Sequence, residues 1–204
     1  MRRTPRQLLT AAAACAVAAL AAPIAQAAAA TTPVPCQTRT TTQAFQAWGD
    51  SAPYFAAPNG TFESGSSYWT LASGAYISEA QEPWNVFGAG ESSLGLPAGS
   101  SGASIQFCVT SGEQSVRMFV RRPGQAGASL HVEVRATQPA TGQQATTSLD
   151  IDGAASGWTP TSILTVPALF GTSSTENISV YLQPTGASAS WRVDDIAVDP
   201  YRCC

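Results

Sequence analysis

The chain has 204 residues, only 11% of them charged, with ten Lys or Arg, thirteen Asp or Glu and one His, for a formal net charge of -3. So acidic a chain is a poor partner for nucleic acid, which is held by clustered positive charge. One His leaves little with which to build a transition-metal centre.

In chain order, Arg2, Arg3 and Arg6 precede an apolar run from Leu8 to Ala22, and small residues follow up to Ala25-Gln26-Ala27. This is the pattern of a secretory signal peptide over residues 1–27, and it predicts a secreted, extracellular protein. The run is shorter than the roughly 20 residues of a membrane-spanning helix, and no later segment replaces it. A lipoprotein with Cys15 as the lipid-bearing residue is the alternative, disfavoured because Ala12 stands where a lipobox has Leu. Cleavage after Ala27 would leave seven cations, all Arg, against thirteen carboxylates.

Residues 28–43, rich in Ala, Thr and Pro, read as an extended leader, and residues 44–204 as one domain, without an internal repeat or interior linker. Within it apolar residues alternate at Val116, Met118 and Val120, at Leu130, Val132 and Val134, and at Ile178, Val180 and Leu182. Further strands are predicted at Tyr68–Leu71, Ala75–Ser78, Ser92–Leu96, Ala103–Val109, Thr146–Ile151, Ser162–Val166 and Trp191–Val198. Clusters such as Leu96-Pro97-Ala98-Gly99-Ser100 break helices and make turns between them. About ten short strands and no amphipathic helix predict an all-β fold, a jelly-roll β-sandwich in a single domain.

After loss of Cys15 the cysteines are Cys36, Cys108, Cys203 and Cys204, an even number for an oxidising compartment. Three pairings are open. No Cys-x-x-Cys spacing of a zinc or thiol-redox site is present.

The last apolar segment, WRVDDIAV, raises a chemical question. Strict alternation would put Trp191, Val193, Asp195 and Ala197 on one face and Arg192, Asp194, Ile196 and Val198 on the other. One carboxylate must then go inward, at a cost of several kcal/mol unless a cation or several donors meet it. With no Lys in the chain, calcium is the expected partner, since it takes carboxylate and carbonyl oxygens in flexible geometry. The stretch NGTFESG can complete such a site if the first and last strands are neighbours. Asn59-Gly60 makes a tight turn, Phe62 anchors it and Glu63 supplies a carboxylate.

These two segments, Asn-Gly-x-Phe-Glu followed by a Gly-rich turn and Trp69, and the terminal Trp-x-Val-Asp-Asp-Ile, resemble the opening and closing signature of calcium-containing jelly-roll carbohydrate-binding modules. The runs WGDSAPYFAAPNGTFESG, LGLPAGSSGAS and WRVDDIAVDPY also resemble a group of actinobacterial secreted proteins of unassigned activity, over most of the chain from Phe45 to Tyr201. The module resemblance implies that the N-terminal segment and the last strand lie side by side around a structural calcium ion. It nominates Glu63 and Asp195 as metal ligands, with Asn59 and Asp194 after them; the alternative is that Glu63 is solvated and Asp194-Asp195 caps a strand by hydrogen bonding.

Opposite the apolar positions stand Arg117, Phe119 and Arg121, then His131, Glu133 and Arg135, then Ser179, Tyr181 and Gln183. Lining one concave sheet, they would make a polar cleft in which aromatic rings stack on sugars and Arg, Gln and Glu bind hydroxyls; the alternative is the solvated outer face of a sandwich, whose alternation looks the same. Trp84 and Trp158, in expected loops, are further sugar platforms, so Tyr181, Arg117, Arg121, Trp84 and Trp158 are the candidate ligand-binding residues. Trp48, Tyr54 and Phe55 are expected to pack against the domain. A Ser-His-Asp site would need His131, which has no Gly-x-Ser-x-Gly elbow to serve, so no catalytic residue is assigned. The expectation is a secreted, monomeric, non-catalytic sandwich that binds a glycan or cell-envelope component with calcium as structural cofactor. A structural or adhesive envelope protein that binds another protein is the alternative, and a small hydrolase or lyase the third reading.

Overall fold

Short strands with one apolar face can bury that face only against another sheet. The computed structural model describes residues 32–169, 174–186 and 190–199, so the expected signal peptide and Cys203 and Cys204 lie outside the described residues. After a single 3-10 turn, Gln46–Trp48, the chain forms β1 (Phe55–Ala56), β2 (Trp69–Ala72), β3 (Tyr76–Ser78), β4 (Ser93–Leu96), β5 (Ser101–Ser104), β6 (Phe107–Thr110) and β7 (Ser115–Pro123). It continues through β8 (Ala128–Thr137), β9 (Gln144–Asp152), β10 (Ser156–Pro160), β11 (Leu164–Thr165), β12 (Thr175–Gly186) and β13 (Trp191–Asp199).

The first sheet runs β10-β7-β13-β4-β3, with β1 on β13 and β11 on β7, and the second runs β2-β5-β12-β8-β9, with β6 on β12. The chain crosses between the sheets after β1, β2, β4, β6, β7, β9, β11 and β12, giving the predicted jelly-roll sandwich. Leu94, Val116, Met118, Val120 and Val193 of the first sheet meet Leu130, Val132, Val134, Ile178, Val180 and Leu182 of the second in one buried core. The three alternating runs read from the sequence supply all of these but Leu94 and Val193.

Several boundaries differ. The segment expected as one strand, Ala103–Val109, divides into β5 and β6, because Ile105 donates its N–H to Tyr68 O and Gln106 O takes the N–H of Val34. Trp158, expected in a loop, lies in β10. The ordered domain also begins before residue 44. Val34 bridges Phe107, Cys36 is disulfide-bonded to Cys108, and Arg39 pairs with Glu113 at 2.8 Å while its guanidinium lies 4.0 Å from the ring centroid of Phe55.

The last strand departs from strict alternation. Its pairing with β7 shifts register between Asp194 and Ala197, where three steps along β13 oppose two along β7, from Phe119 to Arg117. This bulge adds one residue, with Asp195 at φ +48°, and reverses the parity of the residues after it. Trp191 and Val193 face the core before it, and Ile196 and Val198 after it. The expected grouping of Asp195 with Val193 and Ala197 is thereby corrected.

The Cys36–Cys108 bridge closes a loop of 72 residues, which by chain entropy stabilises the fold by about 4 kcal/mol. A Cys36→Ser/Cys108→Ser double variant is expected to lose about 2–4 kcal/mol in urea unfolding relative to the oxidised protein.

Candidate functional site

The opening loop and the bulge are clasped by backbone hydrogen bonds. Ala57 N–H donates to Ile196 O at 2.8 Å and Ile196 N–H donates to Gly60 O at 3.0 Å. Gly60 is required by this approach, since a Cβ there would lie 2.5 Å from Ile196 O. The neighbourhood expected of the first and last strands is thus present, and Phe62 anchors the loop, fully buried with its ring 5.1 Å from that of Trp69.

Asn59 has a different task from the one expected. It sits at φ +49°, where its Nδ2 donates to Gly65 O and Ser67 O and its Oδ1 accepts the N–H of Ser64. Both ends of the amide thus shape the loop, and Asn59 is not among the residues that line the pocket described next.

Glu63, Asp194 and Asp195 do come together, lining a small pocket with Thr61, Gln81 and the 87–90 loop. Glu63 Oε1 accepts the N–H groups of Glu91 and Ser92 at 3.1 and 2.9 Å, and Gly90 makes room for it, since a Cβ there would collide with that oxygen. Asp194 Oδ2 accepts Glu82 N–H at 3.1 Å and Asp194 Oδ1 accepts Asp195 N–H at 2.8 Å. Glu82, only 1% exposed, caps the following turn by accepting the N–H groups of Trp84 and Val86. Nothing in sequence spacing ties Glu82 or Gln81 to a strand more than a hundred residues away, and both were missed as members of this centre.

Two oxygens in the pocket stand out. Asp195 Oδ2 and Gln81 Oε1 are buried without a hydrogen-bond partner among the described residues. Glu82 faces Asp195 closely enough to share a proton with it, but when both are ionised neither can donate. Burial first, opposed by the two backbone N–H groups and reinforced by the charges of Glu82 and Glu63, pushes the Asp194 carboxyl up to about 8. Burial and the Asp194 charge push Asp195 upward as well.

The donors are all hard oxygens, which suits calcium and no soft metal. Among the described residues no three His, Cys, Asp or Glu side chains are grouped so that they alone could hold a metal ion. Calcium would have to draw in the Gln81 amide and backbone carbonyls beside the carboxylates.

The five candidate ligand-binding residues do not converge, because β7 belongs to one sheet and β8 and β12 to the other. The outer face of the first sheet is largely roofed. Phe119, expected in a polar cleft, is fully buried, with the rings of Phe45 and Trp48 each 5.1 Å and Trp84 5.2 Å away. Arg117 serves this roof, pairing with Asp50 at 2.7 Å, donating to Thr161 O and lying 4.5 Å over the Phe45 ring. Trp84 stands edge-on to Trp48 at 4.7 Å and stays 42% exposed. Trp48 and Tyr54 pack on the domain as expected, Tyr54 donating its hydroxyl to Asp50 at 2.7 Å.

The outer face of the second sheet is open. Arg135 lies 4.6 Å over the Tyr181 ring and pairs with Glu133, and His131 Nδ1 is 2.8 Å from Asp150 Oδ1. The Arg135 hydrogen bond holds Glu133 below the usual carboxylate range.

Fold and site together define the class: an all-β jelly-roll sandwich with a carboxylate centre where its opening loop meets its last strand. No family model matches the chain, and no curated protein does. Among solved structures it is similar to a family 61 carbohydrate-binding module determined with β-1,4-galactotriose, at 15% identity over 70% of this chain and 96% of that one, TM-score 0.45. It is also similar to a family 28 module specific for non-crystalline cellulose, at 14% identity over 71% and 94% of the two chains, TM-score 0.49. The family 22 xylan-binding domain of Paenibacillus barcinonensis Xyn10C is similar at 17% identity over 71% and 93%, TM-score 0.45.

The raised carboxyls dictate how the metal-free protein responds to pH. A group whose pKa is higher folded than unfolded contributes stability that is complete below its ordinary pKa near 4 and is lost as pH rises through the folded value. In chelator, the Tm is therefore expected to fall between pH 5 and pH 8 by about 5 °C or more, given about 2–4 °C per kcal/mol at this size. In Asp195→Asn the fall should be smaller. A flat wild-type profile in chelator would show that these carboxyls are solvated.

Proposed function

We propose that this chain is a secreted, non-catalytic glycan-binding sandwich whose ligand crosses the open outer face of the second sheet and whose carboxylate centre holds a structural calcium ion. One observation carries the binding surface: of the two outer faces, one is roofed by the chain's own aromatic residues and the other is left open and studded with hydrogen-bonding side chains. On that face Tyr181, Gln183, Glu133, Arg135 and His131 stand on adjoining strands. Their fixed donors and acceptors are what recognition of sugar hydroxyls requires. Arg135 is oriented by its contacts with Glu133 and the Tyr181 ring, which lowers the side-chain freedom it has to lose on binding. The disulfide Cys36–Cys108 supports export to an oxidising compartment.

Calcium is supported by the two buried oxygens without donors, Asp195 Oδ2 and Gln81 Oε1, beside Glu63 and Asp194. Bound there, the ion would neutralise the carboxylates and tie β13 to the opening loop. It would act on stability, at a distance from the glycan face.

Two measurements test the reading. On a glycan array and by calorimetry, the mature chain is expected to bind a neutral polysaccharide, with Tyr181→Ala and Arg135→Ala each raising Kd about tenfold, equivalent to about 1.4 kcal/mol. The same polymers should show no release of reducing ends. In parallel, millimolar calcium is expected to raise the Tm of the wild type at pH 7.5 and leave that of Asp195→Asn unchanged, because an ion bound only by the folded state stabilises it. Absence of any glycan bound would sink the first half of the reading, and an unmoved wild-type Tm the second.

A further inference from the structure

The six described arginines fall into two groups. Arg39, Arg117 and Arg135 are each paired with a carboxylate. Arg121, Arg122 and Arg192 have no acidic partner among the described residues, and they lie together at one end of the first sheet. Arg121 and Arg192 are direct cross-strand neighbours on its outer face. Like charges placed opposite one another, with side chains starting about 5 Å apart, destabilise a sheet unless something bridges them.

The register extends this pair into a row across five strands: Trp158 opposite Arg121, Arg121 opposite Arg192, Arg192 opposite Gly95, and Gly95 opposite Tyr76. All belong to the outer face, since Val120, Val193 and Leu94 beside them point to the core. Gly95 has a specific use here. A Cβ at that position would lie 2.6 Å from Tyr76 Cζ, so the ring lies across the bare glycine toward Arg192 and is still 43% exposed. Arg121 is exposed and makes no side-chain hydrogen bond among the described residues, while Arg192 gives one N–H to Ser78 Oγ and none to a carboxylate. Asp194, the next outward residue on β13, has both oxygens engaged by backbone N–H groups.

We propose that this row is a second binding surface, distinct from the Tyr181 face, and that it takes an anionic polysaccharide. The two guanidiniums would hold an acidic substituent, carboxylate or phosphate, in the fork geometry that Arg offers such groups. Tyr76, and the part of Trp158 that its packing on the aromatic layer leaves exposed, would stack on sugar rings to either side. Four strand spacings of about 4.8 Å separate the aromatic ends by about 19 Å, the reach of an extended oligosaccharide and not of a single sugar. A nucleic acid fits less well, because the phosphates beyond the arginine pair would meet the carboxylate centre along β13, in a chain of net charge -3.

The test is affinity electrophoresis of the mature chain in gels containing polygalacturonate, its methyl-esterified form, a phosphorylated mannan, an immobilised single-stranded oligonucleotide, or neutral dextran. The expected result is retention by polygalacturonate or by the phosphorylated mannan, the responding arm naming the acidic group. That retention should weaken with added salt and fall at least tenfold in Arg121→Gln/Arg192→Gln. Arg121→Lys/Arg192→Lys, which keeps the charge and the bond to Ser78, should recover part of it, and thermal unfolding of both variants shows whether they fold. Tyr181→Ala lies on the opposite face and should be retained like the wild type, so failure of the neutral-glycan reading and failure of this one are read separately. Retention by neither acidic polymer, equal retention by the esterified polymer, retention indifferent to the double Gln variant in folded protein, or preference for a single-stranded oligonucleotide would each overturn the proposal.

Discussion

The contact on which the rest depends is the backbone clasp between the opening loop and the bulge of the last strand, Ala57 N–H to Ile196 O and Ile196 N–H to Gly60 O. A bulge leaves backbone groups that the ladder cannot satisfy, and such groups are costly when buried. The loop supplies the missing partners, and only a glycine at position 60 lets it come close enough. The same extra residue reverses the alternation of β13, so that Ile196 and Val198 fill the core and Asp194 and Asp195 are placed side by side at the pocket. Core packing and the carboxylate centre are therefore two results of one backbone irregularity.

That centre gathers charge where water is scarce. Asp194 and Asp195 are nearly fully buried, with Glu82 behind them and Glu63 across the pocket. Backbone N–H groups answer part of the cost, at Asp194, Glu63 and Glu82. They leave Asp195 Oδ2 without a hydrogen-bond partner among the described residues. A left-handed backbone at Asp195 adds about 1 kcal/mol or more of conformational cost, which the surrounding contacts must offset.

The two outer faces are differentiated by what the N-terminal leg does before β1. Ala44, Phe45 and Tyr54 lay a second apolar layer on Phe119 and Ala197, and Arg117 is drawn into that layer by Asp50. Burial alone would raise the Asp50 carboxyl, but hydrogen bonds from Tyr54 and Ala52 N–H, with the Arg117 charge, hold it below the usual range. The layer reaches Trp158, beside Arg121, and leaves Arg121 exposed and Arg192 half-buried, while the second sheet keeps its polar face open.

The sequence alone determined the fold class and its main strands, because period-two alternation at Val116 to Val120, Leu130 to Val134 and Ile178 to Leu182 is a local property that any sandwich core must use. It also showed that Asp194 and Asp195 need a partner, since a carboxylate pair in an apolar strand needs one wherever the strand goes, and the resemblance to calcium-containing modules named Glu63 beside them. Tertiary structure alone decided which strands share a sheet, and so that Arg117 and Arg121 stand on the opposite side of the molecule from Tyr181. It alone placed Phe119 under a roof, gave Asn59 to its own loop, brought in Glu82 and Gln81, and inserted the bulge. The physical reason is the same in each case: alternation states that a residue has two sides, and only the pairing of distant strands determines what lies against each of them.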